Sequence, residues 1–375
     1  MTNKSSQNQA GRIAQFRLVR HHLLDESPTD LVTICRHTCG VQAQVMSAAY
    51  LQLWTRNHAV TRSEIESLLW QSRVLVKTSL MRQTLHIVPS DEFHLYIAAL
   101  KPARIAGALR IMSKFGIDRE ESEALTALIM EAIAEGPLSR AAIHMAVRPK
   151  ASKRVHAYME RVWSIMRLPV AEGLICYGSG ENNEVTFIRR DRWLRKLKFK
   201  SITTTEAQCA LFLKYLSAYG PAAPSDFSHW AGVPMQDAKR LPALLESELA
   251  EIPGEKKSCF LLRKDVLALE EIESSKDSVR LLPHFDPFLL AHREKDHLLS
   301  AANYKRVYRN QGWISPVVLV DGAVAGVWSY KVQNKKLFVR IEPFGKLSRS
   351  VHTRVAKEAA NLAAWFEREL EYQIS

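Results

Sequence analysis

Apolar residues near the start of the chain recur every three to four positions, the spacing that places them on one face of an α-helix. Ile13, Phe16, Val19 and Leu23 follow this spacing and predict a first helix. The stretch from Ala43 to Trp54 is largely apolar and predicts another helix after a break at Gly40. The first part of the chain is therefore expected to begin as a set of short helices.

A capped helix and a hairpin are predicted next. Thr61 and Glu64 have the spacing of a capping box, in which the Thr hydroxyl bonds the Glu amide and the Glu carboxylate bonds back. Val74–Leu80 and Thr84–Val88 are rich in β-forming residues and nearly adjacent, so they predict a two-stranded wing. Helices followed by such a hairpin are the arrangement of a winged-helix unit.

The same order of helices and a hairpin recurs twice further along the chain. In the second round a helix at Ser152–Leu168 precedes short strands at Leu174–Tyr177 and Val185–Ile188. In the third round a helix at Gln236–Leu249 precedes two strands that flank a Pro-Gly loop at 253–257. The rounds share no residue-level repeat, so the prediction depends on the order of the elements.

The last quarter of the chain has a different pattern. After a polar linker at 269–276, strands at Val317–Val320 and Ala323–Tyr330 flank Asp321-Gly322, a strong signal for a β-hairpin. A further strand at Lys336–Ile341 and a terminal amphipathic helix at Ser350–Leu370 are predicted. We therefore expect an α+β protein, mainly α, with tandem winged-helix (helix-turn-helix) units and a C-terminal α+β segment. The expected boundaries are 11–105, 115–200 (the basic unit) and 203–265 for the winged-helix units, and 278–375 for the C-terminal segment.

The composition is that of a globular protein. Of the 375 residues, 47% are hydrophobic and 24% are charged. The longest apolar stretches, such as 314–328, are interrupted by polar residues and fall short of the roughly 20 residues of a membrane span. The polar N-terminus lacks the apolar core of a signal peptide, and five scattered cysteines form no paired framework. A cytoplasmic, nucleoid-associated protein with no membrane partner is expected.

Positive charge is concentrated in one part of the chain. The formal net charge is +13, which favours a polyanionic partner. Residues 148–200 contain thirteen Lys and Arg against five Asp and Glu. Cations next to a wing can neutralise DNA phosphates; the alternative is a solvated helix face with Trp193 and Leu197 packed inward. The predicted DNA-binding residues are Arg148, Lys150, Lys153, Arg154, Arg189, Arg190, Arg192, Arg195, Lys196, Lys198 and Lys200.

The usual catalytic motifs are missing from the sequence. It has no P-loop, no GxGxxG, no HExxH and no GxSxG. Cys35, His37 and Cys39 are possible zinc ligands, but no fourth ligand follows, and buried thiols on a helix are the favoured interpretation. A second group of possible ligands, which could instead cap and pair around its own segment, is His284, Asp286, His292, Asp296 and His297. We expect neither a metal nor a cofactor.

One feature could support catalysis without a metal. Gln42 and Gln44 lie between the break at Gly40 and an apolar helix. Side chains two positions apart diverge on a regular helix, so these two converge only where the backbone is still leaving the turn. Two neutral amides can hold one water from both sides, because each has a donor and an acceptor. They are poor bases and need a substrate with its own activation, such as a cationic leaving group. A structural capping pair is the alternative, and the bare residues favour it.

Several short stretches together resemble the AlkZ/YcaQ-like winged-helix DNA glycosylases, a family implicated in unhooking interstrand crosslinks and removing bulky alkylated bases. The stretches are Val41–Gln44, Leu80–Val88, Tyr215–Ala222 with Asp226-Phe227 and Trp230, Leu281–Pro287, and Val318–Gly322 with Gly326 and Trp328. They follow the family's order and span nearly the whole chain. None is specific alone, and the set carries the resemblance.

The resemblance implies a fold and a site. The family's winged-helix units curve around a basic channel, and its catalytic motif is Gln, an apolar residue, then Gln or Asp. The motif matches Gln42, Ala43 and Gln44, in the form with two glutamines and not the YcaQ-like form with Asp. The family often has Gly where this chain has Gln83. Further residues expected near the site, from the second matching stretch, are Arg82, Thr84 and His86.

The implied enzyme is a monofunctional DNA glycosylase, a hydrolase of the N-glycosidic bond of alkylated bases. Alkylation of guanine at N7 makes the base a cationic leaving group, and Gln42 and Gln44 would orient the attacking water and stabilise developing charge. No Lys nucleophile is implied, so lyase activity should be weak or absent. The expected partner is double-stranded DNA with alkylated bases, bound by a monomer.

Two other functions fit parts of the sequence. A non-catalytic winged-helix DNA-binding protein or regulator would use the same units and the same cations. A metal-dependent hydrolase would use the His and Asp residues between 284 and 297.

Overall fold

The structure is a computed structural model that describes residues 2–24, 29–162, 164–179, 184–252, 258–273 and 278–375, with side chains from residue 9 onward. Its helices are α1 (Thr2–Arg20), α2 (Leu31–His37), α3 (Met46–Trp54), α4 (Arg62–Glu66), α5 (Phe93–Ser113), α6 (Arg119–Ala132), α7 (Arg140–Val147), α8 (Lys153–Arg161), α9 (Arg167–Ala171), α10 (Arg190–Trp193), α11 (Thr204–Tyr219), α12 (Pro224–Ala231), α13 (Met235–Leu244), α14 (Val266–Glu271), α15 (Pro287–Leu290), α16 (Tyr304–Val307) and α17 (Arg349–Trp365). Its strands are β1 (Val41–Gln42), β2 (Leu75–Ser79), β3 (Leu85–Pro89), β4 (Leu138–Ser139), β5 (Ile175–Ser179), β6 (Val185–Arg189), β7 (Leu249–Ile252), β8 (Cys259–Leu262), β9 (Val279–Leu282), β10 (Val317–Val320), β11 (Ala323–Gln333), β12 (Lys336–Pro343) and β13 (Glu369–Ile374).

The order of elements expected from the sequence recurs three times. In the first round β3 pairs with both β1 and β2, and in the second β6 pairs with both β4 and β5, with helices between the short strand and the hairpin. In the third round Ala222 bridges Phe260 of β8, which pairs with β7. The α+β, mainly α class is confirmed. We interpret the repeating unit as a winged helix, and the unit boundaries inferred from the sequence stay predictions.

The first two units share one sheet, which the sequence did not suggest. Its strand order is β1-β3-β2-β5-β6-β4, and Lys77 of β2 pairs with Tyr177 of β5 where the two hairpins meet. Every residue of β2 is buried. The first hairpin is therefore a central part of a sheet and not a projecting wing. The tips of the other two predicted wings, at 180–183 and 253–257, lie outside the described residues.

Local signals predicted element starts better than element ends. The capping box is present, with Thr61 Oγ1 accepting from the Glu64 amide at 3.2 Å and Glu64 Oε2 accepting from the Thr61 amide at 2.6 Å. The helix expected from Ala43 begins only at Met46, because the preceding residues pair with β3. The helix predicted at 152–168 is two helices, α8 and α9, and the one predicted at 236–249 ends at Leu244. The predicted linker at 269–276 begins inside α14, and its residues 274–276 lie outside the described chain.

The C-terminal segment is a second sheet covered by one helix. Its strand order is β13-β12-β11-β10-β9, and the hairpin predicted at Asp321-Gly322 is confirmed by the pairing of β10 with β11. The terminal helix was predicted to continue to Leu370 but ends at Trp365. The chain then reverses, with Glu367 at a φ of 53°, and β13 pairs in parallel with β12. Burial of one face of α17, including Val355 and Leu362, attaches the helix to this sheet.

The helix α5 connects the units that surround the candidate site. It packs against α11 of the third unit and against α9 of the second. Tyr96, Ala99 and Leu100 join Phe212 and Tyr215 in one buried cluster. The position of α5 relative to the first sheet is therefore fixed by apolar packing on two sides.

Across the part of the chain that is described, no helix combines the length and the apolar character needed to cross a membrane.

Candidate active site

The two glutamines lie where a strand leads into a helix. Gln42 is the last residue of β1 and is opposite His86 of β3. The pairing continues for one residue, because the Ala43 amide donates to the Leu85 carbonyl at 2.7 Å. Gln44 then precedes α3, which starts at Met46. In such an extended backbone, side chains two residues apart project toward the same side.

The Gln42 side chain is held from behind. The residue is 5% exposed, and its Oε1 accepts a hydrogen bond from Arg82 Nη2 at 3.2 Å. Its backbone carbonyl accepts one from Gln52 Nε2 at 3.0 Å. Arg82 also donates to the Trp230 carbonyl near the end of α12. The Gln42 amide is thus fixed with its oxygen toward Arg82.

Gln44 faces a cavity of about 210 Å³. The residue is exposed, and its Oε1 accepts a hydrogen bond from the Leu85 backbone amide at 3.3 Å. The cavity is also lined by Ser79, Gln83, Leu85, Arg104, Ser164, Met166, Arg167, Val170, Ala171, Tyr177 and Val185. Two of these side chains are cationic, and none of the described lining residues is acidic. We call this space the Gln44 cavity; the two arginines make it electropositive.

The two amides are held by the protein in a similar way. Each oxygen is fixed by an N–H donor of the protein, and no hydrogen bond to either Nε2 is found within the described residues. A carbonyl oxygen has two lone pairs, so each oxygen can accept a second hydrogen bond while the NH2 group donates. Each amide can therefore bind and polarise a water, but neither can take up a proton near neutral pH.

His86 and Thr84, expected near the site, mainly shape the backbone beside Gln42. Burial, followed by the positive charge of Arg82, lowers the pKa of His86 to about 3. His86 Nδ1 donates to the Thr84 carbonyl at 3.0 Å, and the Thr84 hydroxyl donates to the Met81 carbonyl at 3.0 Å. His86 is thus a neutral imidazole. Burial lowers the pKa of Arg82 to about 10, which leaves its guanidinium charged at neutral pH.

The turn that carries Arg82 is fitted to the third unit. Arg82 and Gln83 have φ angles of 52° and 61°, in the left-handed region. Gly232, with a φ of 77°, ends α12 beside them, and a Cβ atom there would lie 3.1 Å from the Arg82 amide nitrogen. Both the conformation and this close approach require glycine at position 232. The third unit therefore helps to set the position of Arg82, and through it that of Gln42.

The predicted DNA-binding cations form two surface groups, one around the start of α8 and one after β6. Several are paired with acids: Arg148 with Glu160, Lys150 with Glu131, Arg154 with Glu121, Arg189 with Asp191 and Arg192 with Glu135. Such largely exposed pairs contribute little to stability. They leave these side chains able to exchange partners, although they reduce the net charge of the surface.

The second group of cations lies away from the glutamines. Arg195 and Lys196 line another cavity, of about 540 Å³, together with Trp193 and Ser90. Ser90 follows the end of β3, whereas Leu85 at its start lines the Gln44 cavity. The two cavities are thus separated by the length of β3, roughly 17 Å. The structure does not bring Arg195 and Lys196 together with Gln42 and Gln44.

Comparison with known proteins identifies the family of this chain. The family described as "DNA glycosylase AlkZ-like" matches residues 35–365 of the chain. This chain belongs to the AlkZ-like DNA glycosylases. A relative from Streptomyces sahachiroi, named "Interstrand DNA cross-link repair glycosylase", is 29% identical over 369 residues, which cover 94% of this chain and 95% of the relative. The solved structure of Streptomyces sahachiroi DNA glycosylase AlkZ has a TM-score of 0.85 at 26% identity and covers 97% of this chain and 99% of its own.

Membership of the AlkZ-like family confirms the resemblance drawn from the sequence. It also confirms the enzyme class, a hydrolase that acts on N-glycosidic bonds in DNA. The roles of individual residues stay predictions.

Two residues of this AlkZ-like chain that the sequence did not single out lie beside Gln44. Arg104 on α5 and Arg167 at the start of α9 both line the Gln44 cavity. Gly107 lies one turn after Arg104 on α5 and is the one sequence feature that marks a close approach to this cavity. A Cβ atom at position 107 would lie 3.2 Å from Gln83 Nε2. Gln83, where the family often has Gly, therefore occupies part of the cavity wall.

The residues considered for metal binding have other partners in this AlkZ-like structure. Cys35 and Cys39 are buried in two different apolar clusters, and burial raises the pKa of each thiol to about 12. His284 Nδ1 donates to the Ile314 carbonyl at 2.8 Å, and Asp286 pairs with Arg56. Within the described residues, no three His, Cys, Asp or Glu side chains are grouped to hold a metal ion. The metal-dependent alternative gains no support.

Proposed function

We propose that this glycosylase releases alkylated bases of the N7-alkylguanine type from double-stranded DNA, including bulky and crosslinked adducts. The observation that carries the proposal is the placement of Gln44 at an electropositive cavity, two residues from the fixed amide of Gln42. Extension to crosslinks draws on the S. sahachiroi relative, whose name states interstrand cross-link repair.

The proposed reaction needs no strong base. Alkylation at N7 places a positive charge on the base, so the bond between N9 and the sugar C1′ breaks with its electron pair moving to the base. The base leaves as a neutral molecule, and the sugar becomes oxocarbenium-like. Water then adds to C1′ and loses its proton to solvent, which gives an abasic site. Gln42 and Gln44 position this water and stabilise the charge that develops.

The predicted cations remain our proposed DNA contacts. The strongest candidates are those for which the described structure shows no acidic partner, because their charge is available to a phosphate. They are Lys153, Arg195, Lys196, Lys198 and Lys200. Arg190 is a weaker candidate, because its charge interacts with that of Asp191 and its Nε is buried. The separation of Arg195 and Lys196 from Gln44 fits a protein that contacts the backbone of a duplex at several points along its length.

Incubation with a duplex that contains a single N7-methylguanine tests this function. We expect free N7-methylguanine and an abasic site that breaks only after alkali, because no Lys nucleophile is proposed. Unmodified guanine should be retained, because a neutral base is a poor leaving group. Spontaneous depurination without enzyme is the control. Tight binding without base release, across alkyl groups of increasing size, would instead favour a DNA-binding regulator.

The pH dependence of excision separates amide catalysis from general-base catalysis. Gln42 and Gln44 do not titrate, the pKa of His86 is about 3 and that of Arg82 is about 10. His86 therefore gains a proton only below about pH 5, and Arg82 loses one only above about pH 9. Burial, followed by the positive charge of Arg82, lowers the pKa of Lys295 to about 7, but Lys295 donates to the Leu289 and His292 carbonyls and not to the glutamines. The single-turnover rate constant at saturating enzyme should therefore be flat between about pH 5 and about pH 9. A sigmoidal or bell-shaped profile within that range would contradict the proposal.

A further inference from the structure

Within the part of the chain that the structure describes, Arg104 is a buried cation without an acidic partner. Only 6% of its surface is exposed. Its Nη2 donates to the Val170 carbonyl at 3.4 Å, whereas Nε and Nη1 have no partner within the described residues. Burial lowers the pKa of Arg104 to about 10, so the side chain is still charged at neutral pH. A buried charge whose donors are not satisfied by protein groups is unfavourable, so a ligand that accepts hydrogen bonds from these donors would stabilise the folded protein.

The surroundings of Arg104 are suited to an anion. Arg167 lines the same cavity, and its buried Nε also has no partner among the described residues. The remaining polar groups on the wall include the neutral side chains of Gln83, Ser79 and Ser164. The rest of the described wall is mainly apolar, which keeps the local dielectric low and strengthens the attraction between the guanidinium groups and a negative charge.

We propose that the Gln44 cavity is a phosphate-binding subsite that takes the phosphodiester group next to the target nucleotide, with Arg104 as its positioning residue. This inference rests on the proposed function. A guanidinium matches a phosphate through two parallel N–H···O bonds. An N7-alkylated guanine is positively charged and would be repelled by Arg104 and Arg167, so the base itself is the less favoured occupant.

Covalent structure places a phosphate close to the reaction. Each deoxyribose in the strand is bonded to a phosphate on either side, so the sugar attacked beside Gln44 has a phosphate as its neighbour. A phosphate held by Arg104 would fix that sugar relative to the two amides. Such fixing contributes to catalysis by orientation, without any contact between Arg104 and the reacting atoms.

The inference is tested by DNA binding at several salt concentrations. The probe is a duplex with one 2′-fluoro N7-methylguanine nucleotide, in which the fluorine slows hydrolysis. Arg104→Met removes the charge and keeps an apolar side chain. Loss of one phosphate contact should weaken binding about tenfold or more and should reduce the slope of log K against log salt by about one. Arg110→Met is the matched control, because it removes the same charge from an exposed position on α5.

A neutral phosphate identifies the group that Arg104 binds. The same duplex is prepared with a methylphosphonate on either side of the target nucleotide. The wild type and Arg110→Met should bind one of the two methylphosphonate duplexes more weakly than the duplex with unmodified phosphates. Arg104→Met already lacks the phosphate contact, so its affinity should be nearly the same for both. Arg104→Lys, which keeps the charge without the two-pronged geometry, should bind with intermediate affinity.

Stability separates this role from a structural one. Arg104→Met removes an uncompensated buried charge, so its melting temperature should be equal to or above that of the wild type. Weak binding by a variant that melts no earlier cannot result from misfolding. If Arg104→Met melts at a lower temperature than the wild type, the methylphosphonate comparison is made with Arg104→Lys, which keeps the buried positive charge.

Two results would overturn the subsite. The first is an unchanged salt slope and methylphosphonate response in Arg104→Met. The second is an altered preference among alkylated bases with an intact phosphate response, which would assign Arg104 to the base. Because binding is measured without chemistry, these results are distinct from a failure of the wild type to excise N7-methylguanine, which would reject the proposed function.

Discussion

Gln44→Ala is expected to slow excision of N7-methylguanine by about 100-fold or more, the usual effect of removing one fixed polar group that stabilises a transition state. Gln44 lines the electropositive cavity and has its oxygen fixed by the Leu85 amide, so its NH2 group is available to the water. The backbone amide of Leu85 is left unpaired at an exposed position, so the fold should be little affected. The measurement is the single-turnover rate constant at saturating enzyme, with DNA affinity determined in parallel.

Gln42→Ala should cause a similar loss for a related reason. Its amide is the more rigid of the two, because Arg82 holds Oε1 and the residue is buried. If both side chains position the same water, the double variant will be little slower than the slower single variant, since groups that act as a unit are not additive. Independent contributions from the two amides would instead multiply in the double variant.

A matched control isolates the position from the chemical change. Gln333 is an exposed glutamine on β11 of the C-terminal sheet, and Gln333→Ala should leave excision and binding unchanged. Binding retained with excision lost in the Gln42 and Gln44 variants would also exclude the regulator alternative. Full residual activity in both single variants would reject the assignment of these residues.

Signals contained within a few residues of sequence were the ones that predicted structure well. The capping box at Thr61 and the hairpin at Asp321-Gly322 depend on hydrogen bonds and turn geometry within four residues. The pairing of Lys77 with Tyr177 joins positions one hundred residues apart, and nothing in either strand specifies its partner. The predicted terminal helix included the first two residues of β13, because they directly follow the amphipathic pattern of α17, and the rest of this strand was not predicted.

In the candidate site too, features local in sequence were predicted, whereas contacts between distant parts of the chain were not. Gln42 and Gln44 were singled out from their position after Gly40, and the family resemblance then favoured a catalytic role over a capping pair. Arg82 was expected near them because it lies in a second matching stretch. The contact of Arg82 with Gln42 and with the Trp230 carbonyl depends on the packing of the first and third units. Arg104 could not be found in this way, because an arginine on a long helix is normally exposed. Its burial follows from the packing of α5 against α9 and α11.

Asp286→Ala is expected to lower the free energy of unfolding by about 3–5 kcal/mol, the usual cost of leaving one partner of a buried ion pair uncompensated. Both side chains are fully buried, and Arg56 Nη1 and Nη2 each donate to a carboxylate oxygen of Asp286 at 2.8 Å. Asp286 Oδ1 also caps α15 by accepting from the Phe288 amide at 3.0 Å. The pair therefore ties the C-terminal segment to the residue just beyond α3, the helix that follows Gln44. Denaturant unfolding of the purified variant gives the value.

The size of this loss distinguishes a buried pair from a surface one. Lys336 and Glu371 pair at 2.6 Å with about half of each side chain exposed, so Glu371→Gln should cost no more than about 1 kcal/mol. Replacing both partners, as Arg56→Met with Asp286→Leu, removes the stranded charge and should recover much of the stability lost in Asp286→Ala. A loss in Asp286→Ala no larger than that of Glu371→Gln would mean that water reaches Arg56 once the carboxylate is gone. In that case the C-terminal segment would be held mainly by the apolar packing of its sheet. The Arg56–Asp286 pair would then contribute little to holding α3, and the glutamines before it, in place.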